Sequence, residues 1–349
     1  MHIRTKLLKN IGNFQKQFLK FASMNSRSKK ILNYTVWAAV AVVLLYFSFR
    51  GVDWKNFWNV LSNCRWSFVA LAMLAGVCSF FVRAMRWRLL LVSEDLDTKL
   101  LDCYDGFTIG RLCDFAVPHI GEFVRCGYVL SPRLTYDKAL GTVVLERVWD
   151  ILMLVLLTVL LLVFKWTEFG SFFVDKIVSP VSGRLDVNLW WLAFVLIAAS
   201  AAIIWAVIAL RSKSRVCSKI CGFFKGIWQG AATCLKMRRK GLFLILTVLL
   251  WFLFLLMSWF IIKALPSDFG LTIIDALFIM LVGSIAGIVP VPGGFGAFHY
   301  LVALALQSIY GIPFETGIIF ATLSHESQAV TMILCGLLSY IHQLLKRRK

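Results

Sequence analysis

The sequence predicts an all-α polytopic membrane protein, with about six full transmembrane helices and two broken re-entrant hairpins arranged as an inverted repeat. Three observations lead there. Hydrophobic residues fill 60% of 349 positions, charged residues only 16%, and mean hydropathy is +0.79, whereas soluble domains carry roughly 25% charged residues. Apolar stretches long enough to cross roughly 30 Å of hydrocarbon recur along the chain. The 37 Lys+Arg against 18 Asp+Glu, a net +19, gather between those stretches, as in loops facing an anionic leaflet. This excludes a water-soluble enzyme, a secreted disulfide scaffold, a disordered linker and a coiled coil, and leaves no role for nucleic acid as a partner.

Residues 1–32 form a basic tail. Arg4, Lys6, Lys9, Lys16, Lys20, Arg27, Lys29 and Lys30 stand there without an acid, and Ile3, Leu7, Ile11, Phe14 and Phe18 recur at helical spacing. That pattern suits an amphipathic helix on the cytoplasmic membrane surface. The first apolar run ends in Ser48-Phe49-Arg50 without a small-x-small cleavage site, so it reads as a retained span and not a signal peptide. Full spans are expected at about 33–49, 67–85, 139–164, 189–210, 241–264 and 316–342. Residues 104–131, with Gly106, Gly110, Pro118 and Gly121, and residues 273–309, with Gly283, Gly287, Pro290, Pro292, Gly293, Gly294 and Gly296, are apolar but interrupted. Pro removes a backbone bond and Gly weakens a helix, so each reads as two half-helices meeting at a turn.

The order span, span, broken hairpin, span then occurs twice, in membrane units 33–164 and 189–343, with 165–188 an external loop and 344–349 a basic tail. Pro118-His119-Ile120-Gly121-Glu122-Phe123 aligns with Pro292-Gly293-Gly294-Phe295-Gly296, and Thr142-Val143-Val144-Leu145-Glu146 with Thr322-Leu323-Ser324-His325-Glu326. Three full spans per unit would turn the second copy upside down. Interrupted segments at matching positions of two halves mark the central site of many transporters. Loop charges agree: loop 211–240 holds nine Lys/Arg and no acid, while 265–272 and 310–315 hold none, which puts both termini in the cytoplasm. Within that loop Ile220, Phe223, Phe224, Ile227 and Trp228 suggest an interfacial helix. Nine cysteines without a C-x-x-C pair read as apolar packing residues, and no metal or cofactor is expected.

Arg111, Asp114, His119, Glu122, Arg125, Glu146, Arg147 and Asp150 crowd the first hairpin and the next span. An ionised group at the bilayer centre costs roughly 2.5–3.5 kcal/mol on insertion scales, so such groups pair or line a wet cavity. Glu146 and Asp150 share a helical face and repel unless a cation lies between them or one is protonated; Arg111, Arg125 and Arg147 are the candidate cations. A buried ion-pair network fixing helix register is the plain alternative. Arginine forks match phosphate, and N–H groups at the Gly121 helix start favour anions, so Arg111, Glu122, Arg125 and Arg147 are assigned to a lipid head group. Glu122 either holds Arg125 or recognises an amine on the lipid. Glu146, Asp150, His325 and Glu326 are assigned to charge or proton relay. Pro118, Gly121, Pro290, Pro292, Gly293, Gly294 and Gly296 shape the hairpin turns. Arg83, Arg86 and Arg88, with Trp87, are expected to anchor the second span at the cytoplasmic face by snorkelling.

No nucleotide-binding or hydrolase motif appears. The elements Arg83-Ala84-Met85-Arg86-Trp87-Arg88, G-E-x-x-R at Gly121–Arg125, E-R-x-x-D at Glu146–Asp150 and P-x-P-G-G-x-G at Pro290–Gly296, in that order, resemble the transmembrane domain of lysylphosphatidylglycerol synthase, the flippase-like family. The resemblance covers about residues 33–343. Where that family often has an acid shortly after P-G-G-x-G, this chain has His299. The resemblance implies lipid translocation without the soluble aminoacyl transferase domain. The expectation is therefore a flippase-like protein of the bacterial inner membrane, not an enzyme. It would move an anionic or amino-modified phospholipid or lipid-linked intermediate, with a separately encoded lipid-modifying enzyme as a possible partner. The alternatives are an integral-membrane transferase acting on lipid-linked substrates and an accessory membrane subunit.

Overall fold

The computed structural model describes residues 54–92, 96–115, 119–174, 239–266, 269–289 and 294–347, together with Tyr46, Lys225, Trp228, Met237 and Val291. The expected tail 1–32, the span 189–210, the span 33–49 apart from Tyr46, and nearly all of the interfacial stripe lie outside these residues. Among the described residues there are nine helices and no strand. They are α1 (Trp54–Ser62), α2 (Trp66–Leu91), α3 (Leu100–Asp114), α4 (Gly121–Cys126), α5 (Tyr136–Phe172), α6 (Lys240–Ala264), α7 (Ile273–Ala286), α8 (Ala297–Tyr310) and α9 (Phe314–Arg347). Four of them, α2, α5, α6 and α9, are long and apolar enough to span a membrane, and they coincide with four of the expected spans.

The central pair is α2 and α6. The Arg65 N–H donates to Ala264 O at 2.8 Å, joining the start of α2 to the end of α6. Farther along, Val82 packs with Leu246 and Leu250, and Leu90 with Phe243. The two helices are therefore antiparallel. α5 has 37 residues, about 55 Å at 1.5 Å per residue, more than a bilayer core requires. The excess is set off by a break at Lys165 (φ −136°, ψ 37°), where the expected span ended. Beyond it Phe169 stacks on Phe278, with ring centroids 4.5 Å apart. Ile151, Leu152, Val155, Leu156, Val159, Leu160 and Val163 are exposed along α5, the stripe an apolar helix presents to lipid.

Both interrupted regions are broken where the Gly/Pro pattern predicts. In the first, α4 folds back on α3: a Cβ on Gly106 would lie 3.0 Å from Arg125 O, and one on Gly110 only 2.6 Å from Gly121 O. That approach requires glycine at both 110 and 121. The return arm is shorter than expected, a six-residue helix followed by turns, and His119 takes φ 60° in the bend. In the second, α7 and α8 are joined through Gly294 (φ 77°) and Gly296 (φ 84°), conformations that favour glycine. Pro118, Pro290, Pro292 and Gly293 lie outside the described residues. Tyr310 Oη donates to Asp275 Oδ1 at 2.8 Å, so the end of α8 returns to the start of α7.

The two hairpins come from opposite ends of the α2/α6 pair. The first packs Cys103 and Cys126 against Trp87 and Leu91 at the end of α2. There Lys346 pairs with Asp102, and His342 Nδ1 lies 2.6 Å from Asp105 Oδ2. The second packs with Ala264, Leu265 and Leu271 at the other end. The bends meet between them, with the Phe115 and Phe295 rings 6.5 Å apart. Two stretches between expected spans prove to be helical. The expected external loop 165–188 begins as a continuation of α5, as far as Phe172. Residues 54–62, between the first two expected spans, form α1 because Phe57 buries itself against Ala303, Ile318 and Ile319 while Trp54 and Trp58 stay exposed, the disposition of an interfacial aromatic helix.

Candidate functional site

Seven charged side chains from α2, α4 and α5 converge. Arg83 and Arg86 stand one turn apart on α2, facing the Glu146/Asp150 stripe of α5. Arg86 Nη2 lies 3.0 Å from Glu146 Oε1 and 2.6 Å from Asp150 Oδ1. Arg83 Nη1 lies 3.1 Å from Asp150 Oδ2 and 3.5 Å from Glu146 Oε1. From the hairpin, Arg125 Nη2 reaches Glu146 Oε2 at 2.9 Å and Glu122 Oε2 at 2.8 Å. Arg147 Nη2 sits 3.2 Å from Glu122 Oε1, and its Nη1 is 3.4 Å from Asp150 Oδ2. Glu122 thus bridges Arg125 and Arg147.

Four guanidiniums face three carboxylates, a formal excess of one positive charge. Arg86, Arg125 and Glu146 are buried, whereas the Arg147 side chain keeps 36% of its surface exposed. Aromatic faces complete the lining: the Arg125 guanidinium lies 4.7 Å from the Trp87 ring centroid and that of Arg86 5.7 Å from Phe243, cation–π distances. Trp87 is itself fixed by its Nε1–H donating to Thr142 Oγ1 at 3.0 Å. Nε and Nη1 of both Arg86 and Arg125 are buried with no hydrogen-bond acceptor among the described residues. Buried donors of this kind are costly; Glu122 Oε2 and Glu146 Oε2 are also buried without a donor in hydrogen-bond geometry, but the orphaned donors outnumber them, and an anion has the charge to meet the remainder. The site lies toward one end of the bundle: Arg86 is five residues, about 7.5 Å of helix, from Leu91.

The structure regroups the expected residues. Glu122, Arg125, Glu146, Arg147 and Asp150 come together. Arg111 does not join them; it pairs with Asp114 at 3.2 Å, a neighbour one turn away on its own helix. The anion site expected at the Gly121 helix start is occupied by the chain itself, since the Gly121 N–H donates to Asp114 Oδ1 at 2.7 Å. Arg83 and Arg86 are not snorkelling anchors but the α2 half of the cluster, while Arg88 does tie the helix end, its Nε donating to Thr98 O at 2.7 Å. A carboxylate pair at i, i+4 facing Arg-x-x-Arg on another span is the signal that announces them. The assigned relay is divided: His325 and Glu326 lie on α9 with His325 Nδ1 3.0 Å from Glu326 Oε1, beside His299 of α8. His299 had no assigned role.

No curated protein and no solved structure matches the chain. The sequence profile described as the lysylphosphatidylglycerol synthase TM region matches residues 35–336, which takes in both hairpins and every member of the charged cluster. The chain belongs to the lysylphosphatidylglycerol synthase transmembrane-region family.

Proposed function

We propose that the protein translocates an anionic or amino-modified phospholipid, or a lipid-linked intermediate, between leaflets of the bacterial cytoplasmic membrane, with both termini inside and no bond made or broken. The observation that carries this reading is the guanidinium surplus, four Arg against three acids, with buried donors of Arg86 and Arg125 lacking acceptors. A head-group phosphate has the charge and fork geometry to meet them. Arg147, the exposed member, receives it first. Glu122 then gives up its bridging position so that the phosphate oxygens span Arg147 and Arg125. Hairpins that insert from opposite ends and meet at Phe115 and Phe295 support an inverted repeat, in which one half rocks against the other. A separately encoded lipid-modifying enzyme would supply the cargo.

The test uses vesicles carrying the purified protein and fluorescent phosphatidylglycerol, with leaflet exchange read by dithionite quenching. Wild type is expected to accelerate exchange. Arg147→Ala, and Arg125→Lys, which keeps charge but loses the fork, should each slow it about tenfold, the equivalent of one charge-assisted contact of roughly 1.4 kcal/mol. Exchange no faster than in protein-free vesicles, or unchanged in both variants, would refute the proposal.

A further inference from the structure

A second polar cluster lies at the bend of the other hairpin. His299 enters from the first turn of α8, directly after the Gly294–Gly296 bend, and His325 and Glu326 from the middle of α9. Glu326 Oε1 is 3.0 Å from His325 Nδ1 and 3.9 Å from His299 Nε2. One donor atom from each of the three residues can be chosen so that all lie within 4.8 Å of one another. Among the described residues, the ion-pair partners of Glu326 are these two imidazoles and no Lys or Arg. Glu326 lies within α9, a helix long and apolar enough to span a membrane, where a carboxylate calls for a cation, and here the cation has to arrive with the imidazoles as a proton or a metal.

We infer that His299, His325 and Glu326 form a binding site for a divalent d-block cation, with zinc as the representative ion. Two imidazole nitrogens and one carboxylate oxygen are a donor set that zinc and its neighbours accept. Donors around a tetrahedral ion with bonds of 2.0–2.1 Å stand roughly 3.3 Å apart; the His325–Glu326 pair at 3.0 Å is already that close, the His299–Glu326 pair at 3.9 Å closes by about half an ångström, and the two imidazoles, within 4.8 Å, close by at most about 1.5 Å on binding. The rings are held for this. Phe295 and Phe298 lie 4.9 and 5.6 Å from His325, centroid to centroid, and His299 is buried at 1% exposure. The Glu326 side chain is 43% exposed, which gives the ion access and leaves its remaining positions to water or a ligand oxygen. The site is separate from the arginine cluster and does not depend on the lipid reading.

The experiment is titration of the full-length, chelator-treated protein in detergent with Co²⁺ and then Zn²⁺. One Co²⁺ should bind per chain, with the absorption bands of a low-symmetry nitrogen–oxygen site, and Zn²⁺ should displace it. Glu326→Gln, an isostere at a partly exposed position, and His325→Ala should each weaken binding by about tenfold or more, with helicity and elution volume unchanged. The wild-type titration decides the question even where a variant fails to fold. No more than trace binding by wild type overturns the inference, and so does undiminished binding by a folded variant lacking both Glu326 and His325.

Discussion

Glu146→Gln is expected to destabilise the folded protein by about 3–5 kcal/mol, the loss typical when one partner of a buried ionic network is removed. Glu146 is completely buried and touches three guanidiniums from two other elements, Arg83 and Arg86 of α2 and Arg125 of α4. Without its charge, four arginines would share Glu122 and Asp150, and Arg86 and Arg125 could not turn to water to compensate. Thermal unfolding in detergent should show a fall of several degrees in Tm. Replacing Arg86 and Glu146 together by methionine should recover much of the loss, because removing both members of a buried pair is far less costly than orphaning one. A Tm equal to wild type for Glu146→Gln would mean that the cluster is open to water.

Gly121→Ala should be at least as damaging, through sterics alone. A Cβ there would lie 2.1 Å from Gly110 O and 2.8 Å from Asp114 Oδ1. The nearest atom is backbone on the facing arm, so no side chain can swing aside. Opening the hairpin would move Glu122, the next residue, and Arg125, one turn on, away from α5. Overpacking costs of about 3 kcal/mol or more follow, read as loss of monodisperse protein on gel filtration. Gly241→Ala is the contrast: nothing lies within 4 Å of its Cβ, and alanine is the better helix former by up to about 1 kcal/mol, so that variant should be at least as stable as wild type.

Much of this architecture is legible in the amino-acid order. Runs of apolar residues mark α2, α5, α6 and α9 because backbone groups in lipid have to be satisfied within the helix, and the glycines and prolines of 104–131 and 273–309 mark where that becomes impossible. The acidic pair Glu146 and Asp150 announces a cation nearby. Which cation is not legible, since helical periodicity fixes the face of a residue and not the neighbour that face meets. Arg111 looked equivalent to Arg125, yet Asp114 sits one turn away and captures it. Arg83 and Arg86 looked like anchors because they stand near a helix end, and only the antiparallel register of α2 on α6 and the docking of α5 turn them inward. His299 and Glu326 are far apart in the chain and meet because the second hairpin folds back beside α9, a contact that no local spacing encodes.

The bridging position of Glu122, 2.8 Å from Arg125 and 3.2 Å from Arg147, has a consequence for selectivity under the proposed function. An arriving phosphodiester would trade places with a resident carboxylate of the same charge, so the swap is nearly isoelectric. Cargo is then held loosely enough to be released on the far side, and the chain's own acid reseals the groove behind it. Head groups bearing extra negative charge would bind too tightly to leave, and a translocator built this way favours singly charged passengers.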